Sequence, residues 1–203
     1  MKRLTLLAVF LLSVLVSNSQ DYTKLIAAFS DSYAKEKAEK YGEAVTVMKG
    51  YYDEKSYEIN LRLGWLTYLQ GQFAESINYY GKAIELMPYA IEPRFGLALP
   101  ASAMGNWNLV LVQYNKILAI DPNNTVTLYR MGLISYDKKD YKQAYQYFEK
   151  VSNLYPFDYQ SLLMLAWTNL KLGKTREAKI LFNKVLLYSP QDASAKEGLG
   201  IIK

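Results

Sequence analysis

Pro88, Pro122, Pro156 and Pro190 stand 34 residues apart, and this interval constrains the 203-residue chain more than any other feature. Gly64, Ala98, Gly132, Ala166 and Gly200 keep the same spacing. So do Gly71, Gly105 and Gly173, with Lys139 on the missing rung. A period of this length implies a stack of supersecondary units, each touching only its neighbours, in place of one or two globular domains. The composition agrees with a folded chain: 51% of residues are hydrophobic and 21% charged, neither disordered nor fibrous.

Several kinds of chemistry are excluded at the start. Cysteine and histidine are both absent, which removes disulfides, a Cys/His zinc site, a cysteine nucleophile and a Ser-His-Asp triad. Gly173-Lys174-Thr175 imitates the end of a phosphate-binding loop, but Thr168 stands where that motif needs its first glycine. Asp137 and Asp140 flank Lys138 and Lys139, which reads as a solvated polar corner. Nothing here supports an enzyme, and no cofactor or metal is expected.

Residues 1–19 read as a secretory signal peptide. Lys2 and Arg3 form a positive start, Leu4 to Val16 an apolar run, and Ser17 and Ser19 a small-residue cleavage site. The thirteen residues of that run, interrupted only by Thr5 and Ser13, span about 20 Å as a helix, short of the ~30 Å hydrocarbon core, so cleavage is expected over anchoring. No cysteine follows the apolar run, which argues against a lipid anchor there. The expected product is exported, periplasmic or secreted, with no membrane span after cleavage. A bacterial envelope is the expected setting. Losing Lys2 and Arg3 lowers the net charge of +5 by two, too mild a balance to imply nucleic acid as a partner.

Residues 57–90, 91–124, 125–158 and 159–192 form four clear units. Each begins with a large-small pair: Leu63-Gly64, Leu97-Ala98, Met131-Gly132 and Leu165-Ala166. Facing them are Ser76 with Tyr80, Val110 with Tyr114, Ala144 with Phe148, and Ala178 with Phe182. The small residue lets two helix backbones approach while the aromatic fills the space beside the contact. The glycines at 71, 105 and 173 are placed to close the first helix of each unit, because φ > 0 costs glycine little. The prolines end the second helix, and Asn124, Asp158 and Asp192 are placed to cap the helix that follows. Residues 21–56 read as a degenerate first unit, with Glu54 where the later prolines sit, and 193–203 as a capping helix. Pro100 falls inside a predicted helix, where it removes a hydrogen bond to Gly96, so a bend or break is expected there.

These pairs, glycines and prolines resemble the tetratricopeptide-repeat consensus, over about nine-tenths of the chain that follows the leader. The tryptophan common in that family three residues before the large member of the pair is replaced by Asn60, Arg94, Leu128 and Leu162. The resemblance implies an all-α fold, a right-handed superhelical solenoid of helix-turn-helix repeats, whose first helices line a concave surface that binds other proteins.

On the first helices, the face turned from the paired second helix carries three stripes at the repeat interval. They are Leu61-Phe95-Tyr129-Leu163, Trp65-Leu99-Leu133-Trp167 and Tyr68-Ser102-Tyr136-Leu170. About half of this apolar surface is expected to be packing between neighbouring helices; its aromatic share exceeds what packing needs. The candidate partner-binding groove is therefore Leu61, Trp65, Tyr68, Phe95, Leu99, Tyr129, Leu133, Tyr136, Leu163 and Trp167. Family members that clamp a carboxylate tail place lysine and asparagine on these stripes. Aliphatic and aromatic residues fit an apolar peptide or helix better. Two alternatives stay open. Self-association could use the same stripes. A carbohydrate could stack on Trp65, Trp167 and the tyrosines, a reading that aromatics clustered with acidic or amide groups in one pocket would favour.

Overall fold

The protein is seen in a computed structural model that describes residues 22–202, so the leader read from residues 1–19 lies outside the described residues. Every regular element among the described residues is an α-helix, in the order α1 (Tyr22–Lys37), α2 (Tyr41–Lys49), α3 (Tyr57–Leu69), α4 (Phe73–Leu86), α5 (Glu92–Ala103), α6 (Trp107–Ile120), α7 (Thr125–Asp137), α8 (Tyr141–Leu154), α9 (Tyr159–Lys171), α10 (Thr175–Tyr188) and α11 (Ala193–Ile201). They fall into two compact units, one reaching to Asn106 and the other beginning at Trp107. In the first, each helix from α1 to α5 packs on the next, and α3 also meets α5. In the second, α6 to α11 pack in the same sequential way, and α9 also meets α11.

Local chemistry explains where the helices begin. The side chains of Asn124, Asp158 and Asp192 accept the backbone N–H groups of Thr127, Ser161 and Ala195 at 3.0, 2.8 and 2.7 Å. Ser56 does the same for Ile59 at 3.3 Å. Each bond satisfies one of the donors that a helix start leaves without an intrahelical partner, an interaction of about 1 kcal/mol. Ala90 occupies the equivalent place before α5, and that helix starts without a side-chain cap.

The first helices end in a left-handed residue. Gly71, Gly105 and Gly173 have φ of +79°, +70° and +74°. A Cβ at any of the three would meet nothing within 4 Å, so conformation alone selects glycine there. Lys139, on the missing rung, adopts φ of +62° with a side chain and bears the strain. Replacing it, Lys139→Gly, is expected to raise stability by about 0.5–1 kcal/mol, the relief of strain being partly offset by the freer unfolded chain. A urea midpoint unchanged by this substitution would contradict the account.

Within each unit the core lies between paired helices. Tyr80, Phe148 and Phe182 are buried at 3, 0 and 0% exposure, with Ala83, Val151 and Val185 beside them on their helices. Two successive first helices close on the Tyr80 ring. A Cβ on Gly64 would come within 3.0 Å of it, and one on Gly96 within 2.2 Å. Gly132 and Gly198 approach Phe148 and Phe182 as closely, at 2.5 and 2.1 Å. At Gly200, the position read from the period, a Cβ would meet nothing. The capping helix α11 thus uses Gly198 as its contact, one rung of a different ladder that runs Gly96, Arg130, Met164, Gly198. Members of this second ladder face the aromatic of the preceding unit, as Arg130 does in donating to the Tyr114 hydroxyl at 3.0 Å.

Of the bend or break expected at Pro100, the break does not occur: α5 runs as one α-helix from Glu92 to Ala103, with Pro100 buried inside it.

Candidate functional site

All ten stripe residues are half-buried, neither core nor fully exposed. They divide between the two units, and each unit holds a cleft lined by some of them.

The first unit's cleft, about 780 Å³, is walled by Leu61 and Trp65 of α3 together with residues of α1 and the start of α2, chiefly Phe29, Tyr33, Glu36 and Tyr41. The Trp65 position is determined by a polar cluster. Its Nε1–H donates to Glu36 Oε1 at 2.7 Å. The same carboxylate pairs with Arg62, whose side chain is almost fully buried. Arg62 Nε donates to Ser32 Oγ at 3.0 Å, and its guanidinium carbon stands 3.9 Å from the Tyr33 ring centre, an arrangement with cation–π character. A buried arginine needs such pairing, because an isolated charge is costly to desolvate. Tyr68 continues the stripe, 5.7 Å from the Trp65 ring and 5.9 Å from Phe73. Phe95 and Leu99 lie on α5, half-buried, and are not among the walls of this cleft.

The second unit's cleft, about 510 Å³, is lined by Tyr129 and Leu133 of α7, by Val151 and Tyr155, and by Asp158, Gln160 and Ser161 at the start of α9. Tyr129 lies 5.7 Å from the core ring of Phe148, and Tyr136 5.3 Å from Tyr141. Trp167 makes an edge contact with Phe182 at 5.2 Å, and its Nε1–H donates to Ser194 Oγ of the capping helix at 2.9 Å. Leu163 packs with Trp167 against the Leu162, Phe182 and Ala195 cluster. The stripes therefore carry packing as well as open surface, and Trp167 is the member most tied to the fold.

Burial holds the Tyr129 and Tyr136 hydroxyls above the ordinary tyrosine range, so both stay neutral donors at physiological pH. Among the described residues no group of three or more acidic side chains is arranged to hold a metal ion. No helix among them is long and apolar enough to cross a membrane. What the clefts offer is ring faces, aliphatic wall and hydrogen-bonding groups, with several charged side chains in the first.

Sequence reasoning did not find the Glu36–Arg62–Trp65 cluster. Its partners are separated by 26 and 29 residues, so no ladder of the 34-residue period joins them. The one available signal was Arg62 itself, a charge among residues that the repeat pattern marks as facing inward.

Two family profiles, each described as a tetratricopeptide repeat, match residues 57–89 and 135–200. The RNA polymerase-associated protein CTR9 of Caenorhabditis elegans is 32% identical over 91 residues, covering 44% of this chain and 8% of that protein. The type IV pilus assembly protein PilF of Pseudomonas aeruginosa is 29% identical over 140 residues, covering 68% of this chain and 55% of PilF. The matched stretch thus spans less than two thirds of either relative's own length. Among solved structures, a tetratricopeptide repeat protein from Parabacteroides merdae superposes with a TM-score of 0.74 at 21% identity, over 89% of this chain and 72% of that one. The helix pairs on a 34-residue period, both family profiles and the solved neighbour agree that this chain belongs to the tetratricopeptide-repeat family.

Proposed function

We propose that this chain is an exported, non-enzymatic scaffold that binds another protein through the apolar stripes of its first helices, as an adaptor in a bacterial envelope assembly. The observation that carries the reading is the half-burial of all ten stripe residues, with Leu61 and Trp65 in one cleft and Tyr129 and Leu133 in the other. Aromatic and aliphatic side chains held in place yet still open to solvent are what an interface anchor requires. An apolar helix or extended segment is the occupant these stripes fit. Similarity to PilF, named as a type IV pilus assembly protein, supports the envelope setting and the role in assembly.

A photo-crosslinking amino acid placed at Tyr68 and at Leu133, in the chain expressed in its native host, tests the reading. Both positions are expected to yield a protein adduct of discrete mass, and Lys179, exposed on the second helix α10, is expected to yield none. Equal labelling from Lys179, or adducts from neither stripe position, would remove the groove from consideration.

One observation favours carbohydrate as a second reading. The first unit's cleft gathers Phe29, Tyr33, Tyr41 and Trp65 with several glutamates, the combination of rings and carboxylates that sugar sites use. Binding of a neutral oligosaccharide in place of any protein adduct would establish it.

A further inference from the structure

The charge distribution in the first unit's cleft is not explained by apolar stripes. Four carboxylates, Glu36, Glu39, Glu58 and Glu92, share its walls with the aromatic rings, against Lys37 and Arg62 as the cations. Glu36 is neutralised by Arg62. Glu39, Glu58 and Glu92 form no ion pair among the described residues. Glu58 accepts from the Ser56 hydroxyl, and Glu92 from the Tyr57 hydroxyl at 3.4 Å. Tyr57 is pushed up to about 12, by burial first and then by the Glu92 charge. Glu58 and Glu92 stand in the first turns of α3 and α5, where the helix dipole favours an acid. That does not account for Glu39, which lies beyond the end of α1, nor for the rings around it.

A second observation is independent of these acids. Arg62 lines the cleft at 6% exposure, and while its Nε and Nη1 are bonded, its Nη2 is buried with no hydrogen-bond partner. A buried donor left unpaired is unfavourable, and an acceptor brought by a ligand would relieve it. A peptide carbonyl is such an acceptor. The cleft therefore offers a donor for a main chain, ring faces for an alkyl stem, and carboxylates for a cation. Its volume of about 780 Å³ lies within the ~300–1,000 Å³ range of ligand sites.

We infer that this cleft is a subsite for a basic residue, lysine or arginine, of an extended peptide segment. The cation meets Glu58 and Glu92, the stem lies along the aromatic wall, and a peptide carbonyl takes Arg62 Nη2. This deepens the scaffold reading and rests on it: the partner segment is apolar where it follows the stripes and basic where it reaches the end of α1.

Display selection of random short peptides tests the inference, run against the full chain and against the Glu58→Gln/Glu92→Gln variant. Both glutamates are exposed, so the variant is expected to keep the wild-type circular dichroism. On the wild type, enriched peptides are expected to carry lysine or arginine beside apolar residues; on the variant, the apolar preference remains and the basic one disappears. For a selected peptide, replacing the basic residue by methionine is expected to weaken binding about 10-fold to the wild type and less than about 2-fold to the variant. Apolar peptides with no basic preference, or a basic preference that the variant retains, would overturn the subsite and leave the scaffold reading intact. No enrichment on either protein would overturn both. If cellohexaose or chitohexaose shifts the Trp65 indole resonance and no peptide does, the cleft is a sugar site and the inference falls.

Discussion

Phe148→Ala and Phe182→Ala are expected to lower stability by about 3–5 kcal/mol each, and neither should remove a contact with the partner directly. Both rings are fully buried between the helices of a pair, so truncation leaves a cavity that the surrounding backbone cannot close. The stripe aromatics make the opposite comparison. Trp65→Ala and Tyr129→Ala remove half-buried rings, and the expected loss is about 1.5–2.5 kcal/mol, with partner recovery reduced by 2 kcal/mol or more where the ring is a hot spot. Trp167→Ala should fall between the two classes, because its ring contacts Phe182 and its indole N–H holds Ser194. Urea unfolding of all five variants beside recovery of the crosslinked partner separates the cases. If Trp65→Ala is as unstable as Phe148→Ala, the stripes are packing and the groove must be sought on another face.

Gly96→Ala is the second large effect. The added methyl would stand 2.2 Å from the Tyr80 ring, and Gly64 already touches that ring on another side at 3.0 Å for the same hypothetical atom. Tyr80 is 3% exposed and has nowhere to slide. Alanine is the better helix former by about 1 kcal/mol. Overpacking of a ring gripped in this way should outweigh that gain, for a net loss of about 2 kcal/mol. The pair Gly96→Ala/Tyr80→Leu should then be less destabilised than the sum of its single changes, since the smaller side chain makes room for the methyl. A single Gly96→Ala variant as stable as the wild type would show that α5 shifts freely and that the close approach has no energetic meaning.

How much of this could be read beforehand depended on the period. Wherever residues repeat at 34, the helix, its cap and its core face followed from residue type: Asn124, Asp158 and Asp192 cap as their chemistry predicts, and Phe148 and Phe182 are buried as their spacing predicts. The period was less informative about which small residue of the capping helix makes the contact. It places Gly200 on the rung that faces a unit's own second helix, whereas the aromatic of the preceding unit meets Gly198, on the ladder of Gly96. It was silent on the first cleft, because residues 21–56 depart from the interval and the Glu36–Arg62 pair joins that irregular stretch to a regular one. At Pro100 the sequence foretold a bend or a break, and of the two only the break is ruled out, since the helix continues through it to Ala103.

The ladder that faces each preceding aromatic also bears on how such a chain can be rearranged. Tyr80 meets Gly96, Tyr114 meets Arg130, and Phe182 meets Gly198; only the tyrosine facing Arg130 offers that side chain a hydroxyl to bind. Each 34-residue segment therefore carries half of a lock and half of the key for its successor. Excising residues 91–124 would bring Arg130 to Tyr80, a ring that still has a hydroxyl to accept the guanidinium. Exchanging the order of the last two segments would instead set Arg130 beside Phe182, leaving the charge without that acceptor in an apolar joint. The units share an architecture, but they are not interchangeable parts, and any shuffled or shortened version of the array inherits this pairing as its grammar.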